Sequence, residues 1–435
     1  MSRFGPRQES GETSRGVRWS RVVPMLALVG VVGLLAGCGP EVAQPYSTIS
    51  PQNPKTDQIQ WLYQIIFWAA LIVFVAVQFA IAYTVIRFRR RNNVRPEQVH
   101  GSKVLEIAWT VVPALILLAL FIPTVKVIFE QAQAAHVDDG FNVEVIGKQW
   151  WWEIAYPDIA ANPDDAAAGP LVTANELVVP LGANVVVSMQ SNNVIHSFWV
   201  PQLSGKMDVM PGHDNKLQFT ADRVGDYFGE CAEYCGSAHA WMRFKVKVVP
   251  QENFDAWVAA WRTPPVDGNP ETADVVDVPT AFGACLACHR VNGTNAVIAG
   301  QGMPYISGYR DPETSEIVPG PGPNLTLLAC RDTIGAGILE NTPANLEKWL
   351  KHTDEVKEGV YMPNYYKQGM TDEQIAQVVE WLSNLKPAGG CPDANLPVGS
   401  LLDPAVVREV PALASPVATP VVAPVASPMA TPAGS

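Results

Sequence analysis

The sequence predicts a membrane-anchored, multidomain protein: a two-helix transmembrane hairpin, an all-β sandwich, a small all-α domain and a disordered tail. The first observation is a pair of apolar stretches, each longer than the ~20 residues that a membrane-spanning helix needs. The second is a region of short runs rich in Val, Ile, Phe and Trp, separated by turn residues, which is typical of β-strands. The third is length, since 435 residues leave room for about two or three domains.

Composition supports the membrane portion and excludes one class of function. Charged residues make up 17% of the chain, against about 25% in average globular proteins. The formal net charge is -12, so the chain lacks the basic character of a general nucleic-acid binder. An acidic surface suits basic partners instead.

The N-terminal segment, residues 1–38, is typical of a secretory signal. Several arginines precede an apolar run over 22–35, the order found in signal peptides. The run ends in Leu35-Ala36-Gly37-Cys38, which resembles the processing box of bacterial lipoproteins and implies lipidation of Cys38. The alternative is an uncleaved anchor with an incidental cysteine. Residues 39–60 then form a linker.

The two predicted membrane spans are 61–86 and 104–129. The loop between them, 87–103, is rich in arginine, and the positive-inside rule places it in the cytoplasm. Everything after residue 130 then lies on the outer side. The alternative, two core helices of a soluble protein, would require a very large surrounding protein mass.

The region 136–250 is expected to be the β-sandwich. Strands are predicted over 141–146, over 216–220, over 242–249, and within the apolar run 177–187, which Pro180 and Gly182 interrupt. The strand over 242–249 places Arg243, Lys245 and Lys247 on one face. This alternation indicates half-buried antiparallel strands.

The remainder of the chain is predicted to hold a linker over 251–275, a small helical domain over 276–390 and a tail over 391–435. Helices are expected over 343–352 and 371–385. Thr371 and Gln374 have the spacing of a capping box at the start of the second. The tail repeats Ala, Pro, Ser and Thr, which favours disorder.

One loop and one earlier histidine carry the ligands of a metal centre. These are His196, Cys231, Cys235, His239 and Met242. Thiolate, imidazole and thioether together select copper among common biological metals. Two cysteines four positions apart can bridge two copper ions, with the two histidines, the methionine and a backbone carbonyl as terminal ligands. Tetrahedral zinc, held by the cysteines and histidines alone, stays open, as does a disulfide between the cysteines.

A second cofactor motif lies in the helical domain. Cys285-Leu286-Ala287-Cys288-His289 has the spacing for covalent attachment of c-type haem, with His289 as an iron ligand. The remaining cysteines, Cys330 and Cys391, have no assigned role. A disulfide between them requires an oxidising compartment and suitable geometry.

The chain from 57 to 250 resembles subunit II of haem–copper cytochrome c oxidase. Besides the copper loop, the resemblance is carried by Leu105-Glu106-Ile107-Ala108-Trp109-Thr110, Gln149-Trp150-Trp151-Trp152, His196-Ser197-Phe198-Trp199-Val200-Pro201 and Gly205-Lys206-Met207-Asp208. It implies a membrane hairpin followed by a cupredoxin-like Greek-key sandwich that holds the dinuclear copper centre CuA.

The resemblance also implies roles for three further residues. Glu233 would give its carbonyl to copper and its carboxylate to a magnesium site shared with subunit I. Trp150 corresponds to the aromatic residue that accepts electrons from cytochrome c, although ordinary packing is the alternative. Glu106 resembles the acid at the mouth of the oxidase's proton pathway, or it is simply a favourable acid in the first turn of a helix.

Residues 276–390 resemble a small monohaem cytochrome c. The resemblance is carried by the haem motif, Pro321-Gly322-Pro323-Asn324-Leu325 and Tyr361-Met362-Pro363, in that order. It implies Met362 as the sixth iron ligand, a pairing that raises the haem potential. Met303 and Met370 are the rival candidates. The long interval 290–320 departs from a minimal cytochrome.

Together the two resemblances imply the electron-transfer subunit of a caa-type oxidase in a bacterial plasma membrane, with its copper and haem domains outside. Electrons would pass from an external donor through haem c and CuA to subunit I, where oxygen is reduced to water with proton translocation. The donor would be a cytochrome c, a cupredoxin or a quinol-oxidising complex, and subunit III a further partner. The alternatives are the CuA module of another copper reductase, such as nitrous-oxide reductase, and a copper-delivery lipoprotein.

Overall fold

A computed structural model of the chain describes residues 46–89, 101–132, 140–164, 169–191, 193–263, 278–291, 309–310, 317–318, 322–387 and 389–392. The predictions for the signal peptide with Cys38, for most of the basic loop, for Met303 and for the tail beyond 392 lie outside these residues.

The two apolar stretches form long helices, α1 (Pro54–Arg87) and α2 (Lys103–Ala132). Both extend beyond the predicted spans, and both are long and apolar enough to cross a membrane. Asn53 caps α1 by accepting hydrogen bonds from the first backbone N–H groups of the helix. The Gln131 amide donates to the Lys55 carbonyl at 3.1 Å. The end of α2 therefore lies beside the start of α1, as in the predicted hairpin.

The region after the hairpin forms two five-stranded sheets. The strands are β1 (Phe141–Lys148), β2 (Trp151–Ala160), β3 (Pro170–Ala174), β4 (Glu176–Pro180), β5 (Asn184–Ser191), β6 (His196–Trp199), β7 (Met207–Val209), β8 (Asn215–Thr220), β9 (Gly225–Cys231) and β10 (Arg243–Val249). One sheet has the order β3-β2-β1-β5-β8 and the other β4-β10-β9-β6-β7. Their inner faces share one apolar core, as in a β-sandwich.

The strand pairing differs from the predicted antiparallel arrangement in two places, because β1 pairs with β5 in parallel and β4 with β10 in parallel. The apolar run 177–187 accounts for both. It turns at Gly182, whose φ of +84° suits glycine, and divides into β4 in one sheet and β5 in the other. The interruption of this apolar run at Pro180 and Gly182 therefore marks the crossing from one sheet to the other.

The predicted linker over 251–275 is partly wrong, since its first half is a helix, α3 (Gln251–Arg262). Phe254, Val258 and Trp261 are buried against the sandwich core. Phe254 meets Phe141 of β1 edge to face, with ring centroids 5.4 Å apart. The amphipathic spacing of these apolar residues indicates a helix that packs on the sandwich, not a linker.

The C-terminal domain is mainly helical, as predicted. A 3₁₀ helix (Thr280–Ala287) precedes the short strands β11 (Tyr309–Arg310), β12 (Ile317–Val318), β13 (Thr333–Ile334) and β14 (Leu339–Glu340), a 3₁₀ turn (Leu328–Cys330), and helices α4 (Pro343–Lys351), α5 (Thr353–Val356) and α6 (Asp372–Ser383). The capping box of Thr371 and Gln374 is present. Cys330 and Cys391 form a disulfide with an S–S distance of 2.10 Å.

Lys245 and Lys247 on the polar face of β10 are buried, whereas alternation predicted a half-buried strand. The helical domain covers this face: the Asp332 carboxylate accepts from the Lys245 and Lys247 ammonium groups at 3.0 and 2.8 Å. The Glu176 carboxylate accepts from the Asp332 backbone N–H at 3.0 Å. Burial alone would raise the pKa of Asp332, but Lys247 and Lys245 lower it to about 2. This ion cluster docks the helical domain on the sandwich.

Candidate copper and haem centres

The predicted metal ligands meet at one end of the sandwich. Cys231 ends β9, which pairs with β6, and His196 begins β6, so the pairing brings the two residues together. His196 Nδ1 lies 3.9 Å from Cys231 Sγ, and His239 Nδ1 lies 3.6 Å from Cys235 Sγ. The two sulfurs are 3.8 Å apart. Both cysteines are free, so no disulfide joins them.

The donor set extends beyond a tetrahedral zinc site. The Met242 thioether is fully buried and lies 3.9 Å from Cys235 Sγ. The Glu233 carbonyl oxygen lies 3.2 Å from Cys231 Sγ. Two sulfurs in contact, flanked by imidazole, thioether and carbonyl donors, suit a pair of copper ions, whereas structural zinc takes four ligands.

The protonation chemistry of the cysteines also suits a metal. Contact with Cys235 lowers the pKa of the Cys231 thiol to about 3, against the effect of burial, and His196 acts in the same direction. The thiolate is the form of cysteine that binds metals. The same contact raises the pKa of the Cys235 thiol, so the pair favours a thiolate at Cys231.

Two residues that sequence reasoning missed hold His196 in place. The Asn193 side-chain oxygen lies 3.4 Å from His196 Nε2, which directs Nδ1 toward the sulfurs. Gly147 lies against the ring, and an added Cβ there would be 2.7 Å from His196 Cδ2. Gly147 contacts His196 from a different strand, and Asn193 lies only three positions before His196, but no motif in the sequence marks either residue.

The side chains named for other roles are not themselves among the metal donors. Glu233 is exposed, and its carboxylate accepts from the Tyr234 backbone N–H at 3.2 Å. Glu106 lies in the first turn of α2. Trp150 is only 5% exposed, and its indole N–H donates to the Cys235 carbonyl at 2.9 Å. The predicted electron acceptor therefore contacts the copper loop directly.

The haem motif lines a cavity in the helical domain. Cys285, Cys288, His289 and Met362 all line this cavity, and Trp150 of the sandwich forms part of its wall. Met370, the rival candidate that lies in the described ranges, packs against the domain core and does not line the cavity. His289 Nδ1 lies 2.8 Å from the Pro323 carbonyl, to which it can donate. That hydrogen bond leaves Nε2 for a metal.

Glycine again lies against the histidine ring. An added Cβ at Gly322 would be 2.6 Å from His289 Cε1. Burial lowers the pKa of His289, and the Pro323 hydrogen bond only partly opposes this. The neutral imidazole is the form that binds iron. Apolar walls, two free thiols, a neutral imidazole and a thioether fit a covalently bound haem.

Comparison with known proteins agrees with both centres. Residues 48–127 match the family "Cytochrome C oxidase subunit II, transmembrane domain", residues 141–249 match "Cytochrome C oxidase subunit II, periplasmic domain", and residues 275–386 match "Cytochrome c".

Three similar proteins align with this chain over almost their whole length. Cytochrome c oxidase subunit 2 of Bacillus sp. (strain PS3) is 34% identical, covering 83% of this chain and 97% of the relative. That of Bacillus subtilis is 32% identical, covering 85% and 99%. That of Alkalihalophilus pseudofirmus is 29% identical, covering 85% and 98%. These matches confirm both resemblances read from the sequence, and the chain belongs to the cytochrome c oxidase subunit II family, with a cytochrome c domain after its periplasmic domain.

Proposed function

We propose that this chain passes electrons from an external donor through its own haem c and dinuclear copper centre to subunit I of a haem–copper oxidase, where oxygen is reduced to water with proton translocation. When bound, the copper pair and the haem each take up and release one electron at a time. One observation carries the proposal. The same chain holds a two-sulfur copper donor set and a haem cavity, and Trp150 contacts both.

The copper ligands in this proposal are His196, Cys231, Cys235, His239, Met242 and the Glu233 carbonyl. Contacts of 3.2 to 3.9 Å link these donor atoms into one continuous cluster. The sandwich supplies rigidity, because β-sheet pairing fixes His196 beside Cys231. A rigid, buried donor set lets the site change charge with little movement of its ligands, which favours fast electron transfer.

The haem ligands are His289 and Met362, with Cys285 and Cys288 as the covalent attachment points. Support comes from the shared cavity wall and from the Pro323 carbonyl, which orients His289. Histidine with methionine gives a high haem potential. A high-potential haem suits a donor placed directly before copper.

Glu233 is proposed to share a magnesium ion with subunit I. Its carbonyl turns toward the copper donors, while its carboxylate is exposed on the protein surface. Carboxylate oxygen is a preferred ligand of Mg²⁺, which is commonly held by only one or two protein carboxylates. Glu233 would thus connect the copper centre to the interface with subunit I.

The proposed setting is a bacterial plasma membrane, with copper and haem domains on the outer side. Arg87 and Arg89 lie at the end of α1 away from the sandwich, in line with a cytoplasmic basic loop. Lipidation at Cys38 would add an anchor to the two spans. Subunit III is a further proposed partner, and a cytochrome c, a cupredoxin or a quinol-oxidising complex the proposed donor.

Purification from the native membrane tests this function. A tagged full-length chain should copurify with a haem-containing subunit I and consume oxygen when its haem c is reduced. Haem staining after denaturing electrophoresis should mark the chain itself. Isolation of the chain alone, with copper but without covalent haem or an oxidase partner, would favour copper delivery instead.

Glu106 is proposed to lie at the mouth of the proton pathway. Glu106→Gln should slow oxidase turnover on the order of tenfold or more, because a positioned proton-transfer group is lost. Copper and haem contents should stay unchanged. If the carboxylate serves only the helix, it contributes about 0.3–1 kcal/mol and turnover stays at the wild-type rate.

A further inference from the structure

The haem domain places an aromatic ring directly on Trp150. The Tyr361 and Trp150 ring centroids lie 5.0 Å apart, with the ring planes at 35°. This separation is within the usual range of about 4.5–7 Å for aromatic pairs. Trp150 lies in the turn between β1 and β2 of the sandwich, and Tyr361 belongs to the haem domain. The contact therefore joins the two cofactor-binding domains.

On the copper side, Trp150 is fixed to the loop that carries the ligands. Its indole N–H and the Gln149 side-chain amide both donate to the Cys235 carbonyl, at 2.9 and 2.7 Å. Gly236 lies against the indole, where an added Cβ would be 2.8 Å from Cζ2, and its φ of +121° suits glycine. The indole therefore packs on the backbone of a copper ligand.

On the haem side, Tyr361 directly precedes Met362, and both line the haem cavity. The Tyr361 hydroxyl donates to Gln149 Oε1 at 2.9 Å. Gln149 thus accepts from the haem domain with one end of its amide and donates to Cys235 with the other. A continuous path of ring contact and hydrogen bonds runs from the neighbour of Met362 to a copper ligand.

Lys357 fastens the two domains beside this path. Its ammonium group donates to the Trp150 carbonyl at 2.6 Å and to the Gly335 carbonyl at 3.0 Å, one acceptor in each domain. The residue is only 2% exposed, and a buried ammonium is costly unless hydrogen bonded. Gly359 lets the haem domain approach the copper loop, since an added Cβ would lie 2.1 Å from Ser237 Oγ.

We propose that Tyr361 is the residue through which the haem domain passes electrons into Trp150, and that Lys357 is the positioning residue for this contact. The inference rests on the proposed function. One electron leaves the reduced haem and reduces the oxidised copper pair, with no bond made or broken and no proton transferred. Because the haem domain covers Trp150, an external carrier delivers its electron to the haem and has no access to Trp150.

Single-turnover reduction of the full chain tests the role of Tyr361. The haem is reduced by a light-triggered reductant, and the rate of copper reduction is followed. Tyr361→Phe keeps the ring and should retain most of the rate, whereas Tyr361→Leu should lose on the order of tenfold, about 1.4 kcal/mol of barrier. The control is Tyr366→Leu, an exposed tyrosine of the same domain, which should transfer at the wild-type rate.

Two results separate this inference from the proposed function. A wild-type rate in Tyr361→Leu, with unaltered haem and copper spectra, would overturn the role of Tyr361. Absence of any haem-to-copper transfer in the wild type would instead overturn the proposed function. The haem potential is measured in each variant, because a slower rate at an unchanged potential assigns the effect to the path rather than to Met362.

Hydroxyl-radical labelling tests the covering of Trp150 without relying on turnover. In the full chain, Trp150 should be protected relative to the unfolded chain, while Tyr234, 74% exposed on the copper loop, should be labelled freely. Lys357→Met keeps the apolar stem but removes both hydrogen bonds, and should increase labelling of Trp150 severalfold. If Trp150 is labelled as readily as Tyr234 in the wild type, the result contradicts the inference.

Discussion

The copper and haem regions secure their histidines in the same way but assemble the rest of each site differently. In both, a glycine lies under the imidazole, Gly147 under His196 and Gly322 under His289. In both, an oxygen atom accepts a hydrogen bond from one ring nitrogen, which leaves the other nitrogen to bind a metal. The copper donors then contact one another directly, whereas the haem donors lie around the wall of a cavity.

This difference reflects what each site needs before its cofactor arrives. Pairing of β6 with β9 brings His196 beside Cys231, and the loop between β9 and β10 carries the other copper donors, so the sandwich forms most of the site as it folds. The haem domain surrounds its cavity largely with apolar residues, so a bound haem would complete its core. We therefore expect damage at one centre to leave the other intact.

Removal of a cysteine should have the largest effect. Cys231→Ser should abolish the dinuclear copper centre, because one of the two bridging sulfurs is lost, while covalent haem remains. Electron paramagnetic resonance should lose the signal of one electron shared over two copper nuclei. Cys285→Ser is the reciprocal control and should keep that copper signal while weakening covalent haem attachment. A shared-electron signal that survives in Cys231→Ser would contradict the bridging role.

Replacement of Met362 should change the haem without removing it. Met362→His should lower the haem potential on the order of 0.1 V, a fraction of the range of about 0.8 V that axial ligands set. It should also remove the sulfur–iron absorption band and leave copper unchanged. Met370→Leu is the control and should keep both band and potential. Loss of the band in Met303→Leu instead would assign the sixth ligand to Met303.

The paired glycines offer a smaller, matched perturbation of the two regions. Gly147→Ala and Gly322→Ala should each displace one histidine and cost about 1–3 kcal/mol from overpacking. The first should alter only the copper spectrum and the second only the haem spectrum. Gly283→Ala, where an added Cβ meets nothing within 4 Å, should leave both spectra unchanged. A change of the haem spectrum in Gly147→Ala would show that the regions are not independent.

Acid should loosen the docking of the helical domain on the sandwich, and we expect this effect to be the smallest of the four. The Asp332 carboxylate stabilises the docked state above its ordinary pKa of about 3.9, and this contribution is lost as pH falls through about 2. Asp226 also belongs to the ion cluster, with its carboxylate 3.8 Å from the Lys245 ammonium group. Burial raises the pKa of Glu176 and Asp226, so protonation of these two acts in the opposite direction. Labelling of Trp150 should rise between pH 4 and 2 in the wild type, and Asp332→Asn should remove that rise.

The features that could be predicted from the sequence are those that depend on residues close together in the chain. The two cysteines and His239 and Met242 share one short loop, and the haem motif spans five residues, so both could be found without a structure. The helices over 343–351 and 372–383 followed from periodicity and capping. Family resemblance supplied the roles of Trp150 and Met362.

The contacts between domains could not be predicted, because they join residues far apart in the chain. Lys357 and Tyr361 meet the turn at Gln149 and Trp150 across some 200 positions. The polar face of β10 looked like a solvent face because alternation does not distinguish water from a second domain. A buried lysine with carbonyl partners likewise has no local signature.

The measurement that tests the account most directly is the concentration dependence of haem-to-copper electron transfer in the intact chain. With less than one reducing equivalent per molecule, the haem is reduced first, and its absorbance and the copper signal are then followed together. The account predicts that the copper pair is reduced at the rate at which the haem is reoxidised, and that this rate is independent of protein concentration. A rate proportional to concentration would contradict transfer within one chain.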